Sequence, residues 1–322
     1  MQATGTLSSI LPAVDKKIAE LLGIPDHSEF GAVPRLESKK SAQFLGEERN
    51  RKPGIGARLV SETYLLIESN WKHPDRKFKP SPKLWVPRIR SEWSRDWNSP
   101  EVPLERSAVA LFELGRPISG KGWDQGLLWF NQIPVASGIV KGGKGSKAID
   151  LICRKAEEQY DFIELKFPRP DNSSGDTPLY AAMEILKYGL IYLYMAQYPD
   201  TLTAAEGWPD EKDLPRGAKA RELLEATDVD LCVVAPKRFY SPFELGWLGD
   251  ELATGLEEFV SKNTFPHLRR MTFRFEHLSD QPFELTLGNG FKFDFTRYKV
   301  PNSMWSALND KRTAIGHSRL IV

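Results

Sequence analysis

The chain has few cysteines and no long apolar run. Its 322 residues include only Cys153 and Cys232 as cysteines, which excludes a disulfide framework and a zinc site built from cysteines. No apolar run approaches the ~20 residues that a membrane helix needs. The first residues also lack the basic-then-apolar pattern of a secretion signal. We therefore expect a cytoplasmic protein with no membrane contact.

An excess of charge of one sign is also missing. The 44 basic and 43 acidic residues give a net charge of +1, so the total does not indicate a nucleic-acid binder. Residues 71–97 are a local exception, with eight Lys or Arg, three acids and five interleaved aromatics. This stretch could contact phosphates and stack bases, or it could pack its aromatics in a loop-rich region. The DNA interpretation assigns contacts to Lys77, Lys79, Arg88 and Arg90.

Several familiar catalytic signatures are absent or incomplete. The five histidines have no zinc-binding spacing, and no G-x-S-x-G motif is present. Residues 138–144 resemble a phosphate-binding P-loop, but Gly145 stands where that loop needs Ser or Thr, and a strand is predicted next. The segment is either a solvated loop or a basic lead-in whose DNA contacts are Lys141, Lys144 and Lys147.

The remaining pattern predicts an α/β protein in three parts. Residues 1–100 form an N-terminal arm and the basic, Trp-rich region, 101–262 form the core, and 263–322 form a C-terminal β segment packed on that core. From 101 to 236 the predicted order is α-β-β-β-α-(α)-β, which favours a mixed sheet with flanking helices. Thr177 followed by Pro178 predicts a helix start, and Ser241 with Glu244 predicts another. A helix is also predicted over residues 216–226.

Two acids and a lysine in a predicted hairpin carry the chemistry. Strand side chains alternate between faces, so Glu164 and Lys166 share a face. A hairpin that turns about Glu157 places Asp150 opposite Glu164, with Cβ atoms ~4.5–5.5 Å apart. Asp150 is the only polar residue in the run Ala-Ile-Asp-Leu-Ile, and an isolated buried carboxylate is costly.

A divalent cation would explain this acidic pair. Mg²⁺ takes oxygen ligands and keeps several waters, so one or two carboxylates plus a substrate phosphate suffice. Lys166 could then orient water or stabilise charge on the phosphate. The alternative is a solvated hairpin face on which Glu164 and Lys166 form a weak surface pair.

Asp150 followed by Glu164-Leu165-Lys166 resembles the PD-(D/E)xK phosphodiesterase superfamily, with Ile149 where the family name has Pro. The resemblance covers about 101–236 and includes the element order. It implies a restriction endonuclease-like α-β-β-β-α-β core. It also implies that Asp150, Glu164 and the carbonyl of Leu165 ligate Mg²⁺ or Mn²⁺, and that Lys166 is the catalytic lysine.

Two further residues follow from the same resemblance. The segment from Leu104 to Val109 is similar to the first helix of archaeal-type junction resolvases, which favours Glu105 as a metal ligand, with Glu113 as the fallback. Relatives among recombination exonucleases carry Gln-x-x-x-Tyr after the motif, whereas this chain has Glu184-x-x-x-Tyr188. Glu184, or the neighbouring Lys187, would then support substrate or water.

The resulting expectation is a Mg²⁺-dependent nuclease that hydrolyses DNA in restriction, repair or a mobile element. We expect a homodimer, as in many family members, and a protein partner that supplies specificity, because the net charge is near zero. The competing hypothesis is a non-catalytic DNA-binding or assembly protein on the same scaffold.

Overall fold

The described part of the chain contains a six-stranded mixed sheet and six α-helices. The computed structural model describes residues 10–25, 36–72, 85–90, 105, 128–135, 148–166, 177–198, 208–215, 217–278 and 313–315. The helices are α1 (Ile10–Leu22), α2 (Lys39–Gly46), α3 (Ile55–Lys72), α4 (Pro178–Gln197), α5 (Lys237–Tyr240) and α6 (Gly246–Lys262). The strands are β1 (Leu128–Pro134), β2 (Ala148–Ala156), β3 (Gln159–Leu165), β4 (Asp228–Pro236), β5 (Arg270–Leu278) and β6 (Thr313–Ile315). Single 3₁₀ turns occupy Glu48–Asn50 and Glu211–Asp213.

The strands lie in the sheet in chain order. β1, β2 and β3 pair antiparallel, β3, β4 and β5 pair parallel, and β6 pairs antiparallel with β5. Parallel neighbours need a long crossover, and α4 lies in the crossover from β3 to β4. The predicted mixed sheet with flanking helices is confirmed, together with the order β-β-β-α-β from β1 to β4.

The β2–β3 hairpin has the predicted register. Leu151 pairs with Ile163 and Arg154 with Tyr160, and the pairing shifts only beside the turn. Continuing this register by one residue brings Asp150 opposite Glu164, as the sequence predicts. Glu158 closes the turn with a left-handed backbone, at φ 59°.

The helices α4 and α6 cover one face of the sheet. Phe162, Leu231 and Phe273 are direct partners on β3, β4 and β5, so they share this face. Gly189 of α4 lies against Leu231, where an added Cβ would come within 2.4 Å of a methyl carbon. Gly249 of α6 lies against the ring of Phe275. These close approaches leave the side chains of this face buried.

The N-terminal helices belong to the same buried core. Tyr64 of α3 packs on Phe259 of α6 with ring centroids 4.8 Å apart. The backbones of α3 and α6 meet where Gly56 faces Gly255. The carboxylate of Glu251 accepts the amides of Gly54 and Gly56 at 2.8 and 2.9 Å, which satisfies donors at the α3 N-terminus.

One predicted helix start and one predicted helix are wrong. Helix α6 begins at Gly246 rather than after Ser241, because Glu244 binds Arg51 at 3.2 Å instead of closing a capping box. Residues 217–225 form turns rather than a helix. In that segment the amides of Glu222 and Leu224 donate to the carbonyls three residues before them, at 3.3 and 2.9 Å, which gives separate tight turns instead of a continuous α-helical ladder.

Other predictions fall partly outside the described residues. Of the predicted helix over 101–114 the structure describes Glu105, which is helical. The predicted strands over 283–295 lie outside the described residues, as does Glu113.

Candidate active site

The ends of β2 and β3 bring Asp150, Glu164 and Lys166 together. The amide of Leu165 donates to Oδ2 of Asp150 at 2.9 Å. Nζ of Lys166 lies 2.7 Å from Oε1 of Glu164. The amide of Lys166 donates to the carbonyl of Val234 at 3.0 Å, which continues the pairing with β4 and fixes where the lysine leaves the sheet.

Helix α4 adds Glu184 to this group. Oγ1 of Thr177 accepts the amide of Tyr180 at 3.1 Å, so the predicted cap sets the helix start. Nζ of Lys166 donates to Oε2 of Glu184 at 3.3 Å. The hydroxyl of Tyr188, one turn further on, donates to Oε1 at 2.9 Å. Burial and the Glu184 charge raise the pKa of Tyr188, which keeps this hydroxyl a donor.

One carboxylate oxygen of Glu164 lacks a hydrogen-bond partner among the described residues. Its side chain is buried, and Oε2 has no hydrogen-bond partner among the described residues. Burial raises the pKa of Glu164 well above its ordinary value; Asp150 and Glu184 raise it further, and Lys166 opposes them. A buried carboxylate oxygen without a partner costs free energy, and a bound cation would offset that cost.

The donor set fits a hard cation held by two carboxylates. No three His, Cys, Asp or Glu side chains in the described part of the chain are grouped to hold a metal ion. Mg²⁺ needs only one or two protein carboxylates beside water and phosphate. Asp150, Glu164 and the Leu165 carbonyl supply oxygen alone, which suits Mg²⁺ or Mn²⁺. These residues therefore fit the expected metal, as a small oxygen site.

Glu105 is connected to this site through a hydrogen bond with Gln132. Its Oε2 accepts Nε2 of Gln132 at 2.9 Å, and its side chain is 2% exposed. Asn131 and Ile133 pair with Leu151 and Ile149, so Gln132 between them lies across from Asp150. Glu105 is thus linked to the strand facing Asp150, without forming a group of three acids with Asp150 and Glu164.

Lys187 lies beside the site and is tied to α1. Its Nζ is 2.6 Å from Oδ1 of Asp15. Lys166 and Lys187 each place Nζ 5.9 Å from the ring centroid of Tyr180. Burial and the charge of Glu184 raise the pKa of Tyr180. Sequence reasoning missed Asp15, Tyr180 and Gln132, because each meets the site through contacts distant in sequence.

The predicted DNA contacts are only partly within the described residues. Arg88 is half-buried and donates through Nε to the carbonyl of Gln132 at 2.6 Å; burial, with the charge of Arg90, lowers its pKa to about 10. Arg90 is exposed. The other predicted contacts lie outside the described residues: Lys77, Lys79, Lys141, Lys144 and Lys147.

Comparisons with protein-family models, curated proteins and solved structures find no match for this chain. In the part of the chain that the structure describes, no helix combines the length and apolarity needed to cross a membrane.

Proposed function

We propose that the chain is a metal-dependent nuclease of the PD-(D/E)xK type that hydrolyses phosphodiester bonds in DNA. The observation that carries the proposal is the buried Oε2 of Glu164, unpartnered among the described residues, beside Asp150 and Lys166 at the end of one hairpin. The observed order β-β-β-α-β also agrees with the core that the sequence motif implies.

The residues have separable roles in this proposal. Asp150, Glu164 and the carbonyl of Leu165 would hold Mg²⁺ or Mn²⁺. A bound divalent cation supplies Lewis-acid polarisation of the phosphate and lowers the pKa of water. The ammonium of Lys166 lies beside Glu164, where it would neutralise negative charge that develops on the phosphate. Glu184 and Tyr188 hold that ammonium in place.

Cleavage of supercoiled plasmid and of linear single- and double-stranded DNA tests this function. Wild type is compared with Lys166→Ala in the presence of Mg²⁺, Mn²⁺ or a chelator. We expect metal-dependent cleavage that falls about 10²- to 10³-fold in the variant, the usual cost of losing one preorganised electrostatic group. Lys262→Ala is the matched control, because Lys262 is an exposed lysine at the end of α6.

The outcomes separate the two hypotheses made from sequence. Cleavage that is lost in Lys166→Ala and kept in Lys262→Ala supports the nuclease. DNA binding without cleavage by wild type in either metal overturns it and favours the non-catalytic scaffold. Equal cleavage by wild type and Lys166→Ala would show that Lys166 does not contribute to catalysis.

A further inference from the structure

Two residues with left-handed backbones lie in β1 and in the segment 85–90 that is hydrogen-bonded to it. Gln132 has φ 53° and Trp85 has φ 61°; the remaining non-glycine case among the described residues, Glu158, is accounted for by the hairpin turn. Positive φ is uncommon outside glycine and is an outlier for a bulky residue. Such residues persist only where the surroundings hold them, and they cluster at functional sites. The junction between residues 85–90 and β1 therefore needs an explanation.

Contacts on both sides hold this junction in place. Nε of Arg88 donates to the carbonyl of Gln132 at 2.6 Å. Asn131 accepts the amide of Arg90 at 2.7 Å and donates to the Arg90 carbonyl at 3.1 Å. The ring of Trp85 stacks on Phe162, with centroids 6.2 Å apart. Residues 85–90 thus fix the backbone of β1 at Gln132, across from Asp150.

The side chain of Gln132 connects this junction to Glu105. Its Nε2 donates to Oε2 of Glu105 at 2.9 Å. We propose that Gln132 is a positioning residue, which holds the Glu105 carboxylate beside Asp150 so that Glu105 contributes to the metal site through water. This inference rests on the proposed nuclease function and adds a residue that the sequence motif does not contain.

A water-mediated role agrees with the burial and spacing of these groups. Glu105 is 2% exposed, so its carboxylate needs directed hydrogen bonds to stay in one orientation. The described residues contain no group of three acids that could hold a metal together, so we assign Glu105 a contact through water and not a direct one. Hydrogen-bonded groups outside the direct ligands typically change metal affinity or activity by about 10- to 100-fold when they are removed.

The left-handed backbone permits variants that remove the amide and keep the fold. Asn tolerates a positive φ and Gly adopts it freely. Gln132→Asn shortens the side chain by one methylene, so its amide loses Glu105, and Gln132→Gly removes the amide altogether. Gln159→Asn is the matched control, because Gln159 is exposed and lies at the end of β3 that is far from Glu164.

The effect on metal affinity is measured by titrating each protein with Mn²⁺ alone and detecting the free ion by electron paramagnetic resonance. We expect Gln132→Asn, Gln132→Gly and Glu105→Gln each to weaken Mn²⁺ binding about tenfold, with Gln159→Asn unchanged. Because Gln132 acts through Glu105, the double variant Glu105→Gln with Gln132→Asn should bind no more weakly than Glu105→Gln. A purely structural residue would add its loss to that of Glu105.

The results distinguish this inference from the proposed function. Wild type that binds no Mn²⁺ and cuts no DNA overturns the nuclease itself. Wild type that binds and cuts, with both Gln132 variants binding Mn²⁺ as tightly as wild type, overturns only the role of Gln132. Additive losses in the double variant overturn it as well.

Discussion

Lys187 of α4 and Asp15 of α1 form an ion pair with Nζ 2.6 Å from Oδ1. The lysine side chain is 7% exposed and the aspartate side chain is 36% exposed. This pair joins the N-terminal helix to the helix that carries Glu184. The position of α4 beside the sheet is therefore set in part by a residue far away in the sequence.

Removing Asp15 should destabilise the fold, because it leaves a buried ammonium without its partner. We expect Asp15→Ala to lower the free energy of unfolding by about 1–2 kcal/mol, below the usual cost for a buried pair because Asp15 reaches solvent. Urea unfolding measures this change.

Glu20→Ala is the matched control for Asp15→Ala. Among the described residues, the side chain of Glu20 on α1 forms only an exposed pair with Lys16 at 3.9 Å, so its removal should cost close to nothing. Adding Lys187→Met to Asp15→Ala should recover stability. A loss for Asp15→Ala no larger than for Glu20→Ala would contradict the role of the pair.

The raised pKa of Glu164 should make Mn²⁺ binding at the proposed site depend on pH. Burial, Asp150 and Glu184 raise this pKa above its ordinary value against the opposing effect of Lys166. The contribution of Glu164 to stability without metal is therefore present at low pH and is lost as pH rises through the folded-state pKa. A metal ion at the proposed site would need the ionised carboxylate, so its affinity should rise with pH and its binding should release a proton.

Thermal unfolding with and without Mn²⁺ across a pH series tests this coupling. We expect the stabilisation by Mn²⁺ to grow with pH in wild type and to vanish in Glu164→Gln. Glu244→Gln is the control, because Glu244 is an exposed carboxylate that pairs with Arg51. This variant should behave as wild type. A Mn²⁺ effect that is independent of pH would show that Glu164 does not exchange a proton for the metal.

Local patterns predicted the central hairpin and α4 because their signals lie within a few residues. The turn about Glu157 and the period-two pattern set the register of Asp150 and Glu164. Thr177 before Pro178 marked the start of α4. The predicted capping box that failed involves a distant partner, because Glu244 binds Arg51 instead of its own helix.

The rest of the candidate site depends on contacts that no local pattern encodes. The left-handed Gln132, held by Arg88 and bound to Glu105, joins three separate segments. The basic composition of residues 71–97 suggested phosphate contacts. Composition cannot distinguish a guanidinium that is available to a phosphate from one that binds a backbone carbonyl, as the guanidinium of Arg88 does. The predicted DNA contact of Arg88 stays a prediction.

Two glycines in α6 should respond in opposite ways to alanine. A Cβ on Gly255 would come within 2.4 Å of the backbone of Gly56, whereas one on Gly246 would meet no atom of the described residues within 4 Å. Gly255→Ala should destabilise by about 1–3 kcal/mol through overpacking. Gly246→Ala should be neutral or should stabilise by up to ~1 kcal/mol. Unfolding of both variants in urea measures the difference, and equal stability would contradict the close packing of α3 on α6.

Asp230 should make the fold sensitive to acid. Its carboxylate is 4% exposed and contacts Lys155 at 2.7 Å, Arg270 at 3.1 Å and the guanidinium of Arg274. Burial by itself raises the pKa of Asp230, but the three cations outweigh burial and the net pKa is lowered. A lowered folded-state pKa contributes stability above the ordinary aspartate pKa of about 3.9, and that contribution is lost as pH falls through the folded value.

Urea unfolding of Asp230→Asn between about pH 7 and pH 3 tests this linkage. We expect a loss of roughly 2–3 kcal/mol at neutral pH, moderated because Lys155 and Arg270 reach solvent, and a smaller loss in acid, where wild type protonates Asp230 as well. Asp210→Asn is the matched control, because the side chain of Asp210 is exposed and pairs with the exposed Lys212 at 3.0 Å. If the difference between wild type and Asp230→Asn stays constant as pH falls, the cations do not hold the charged form of Asp230, and its role is packing alone.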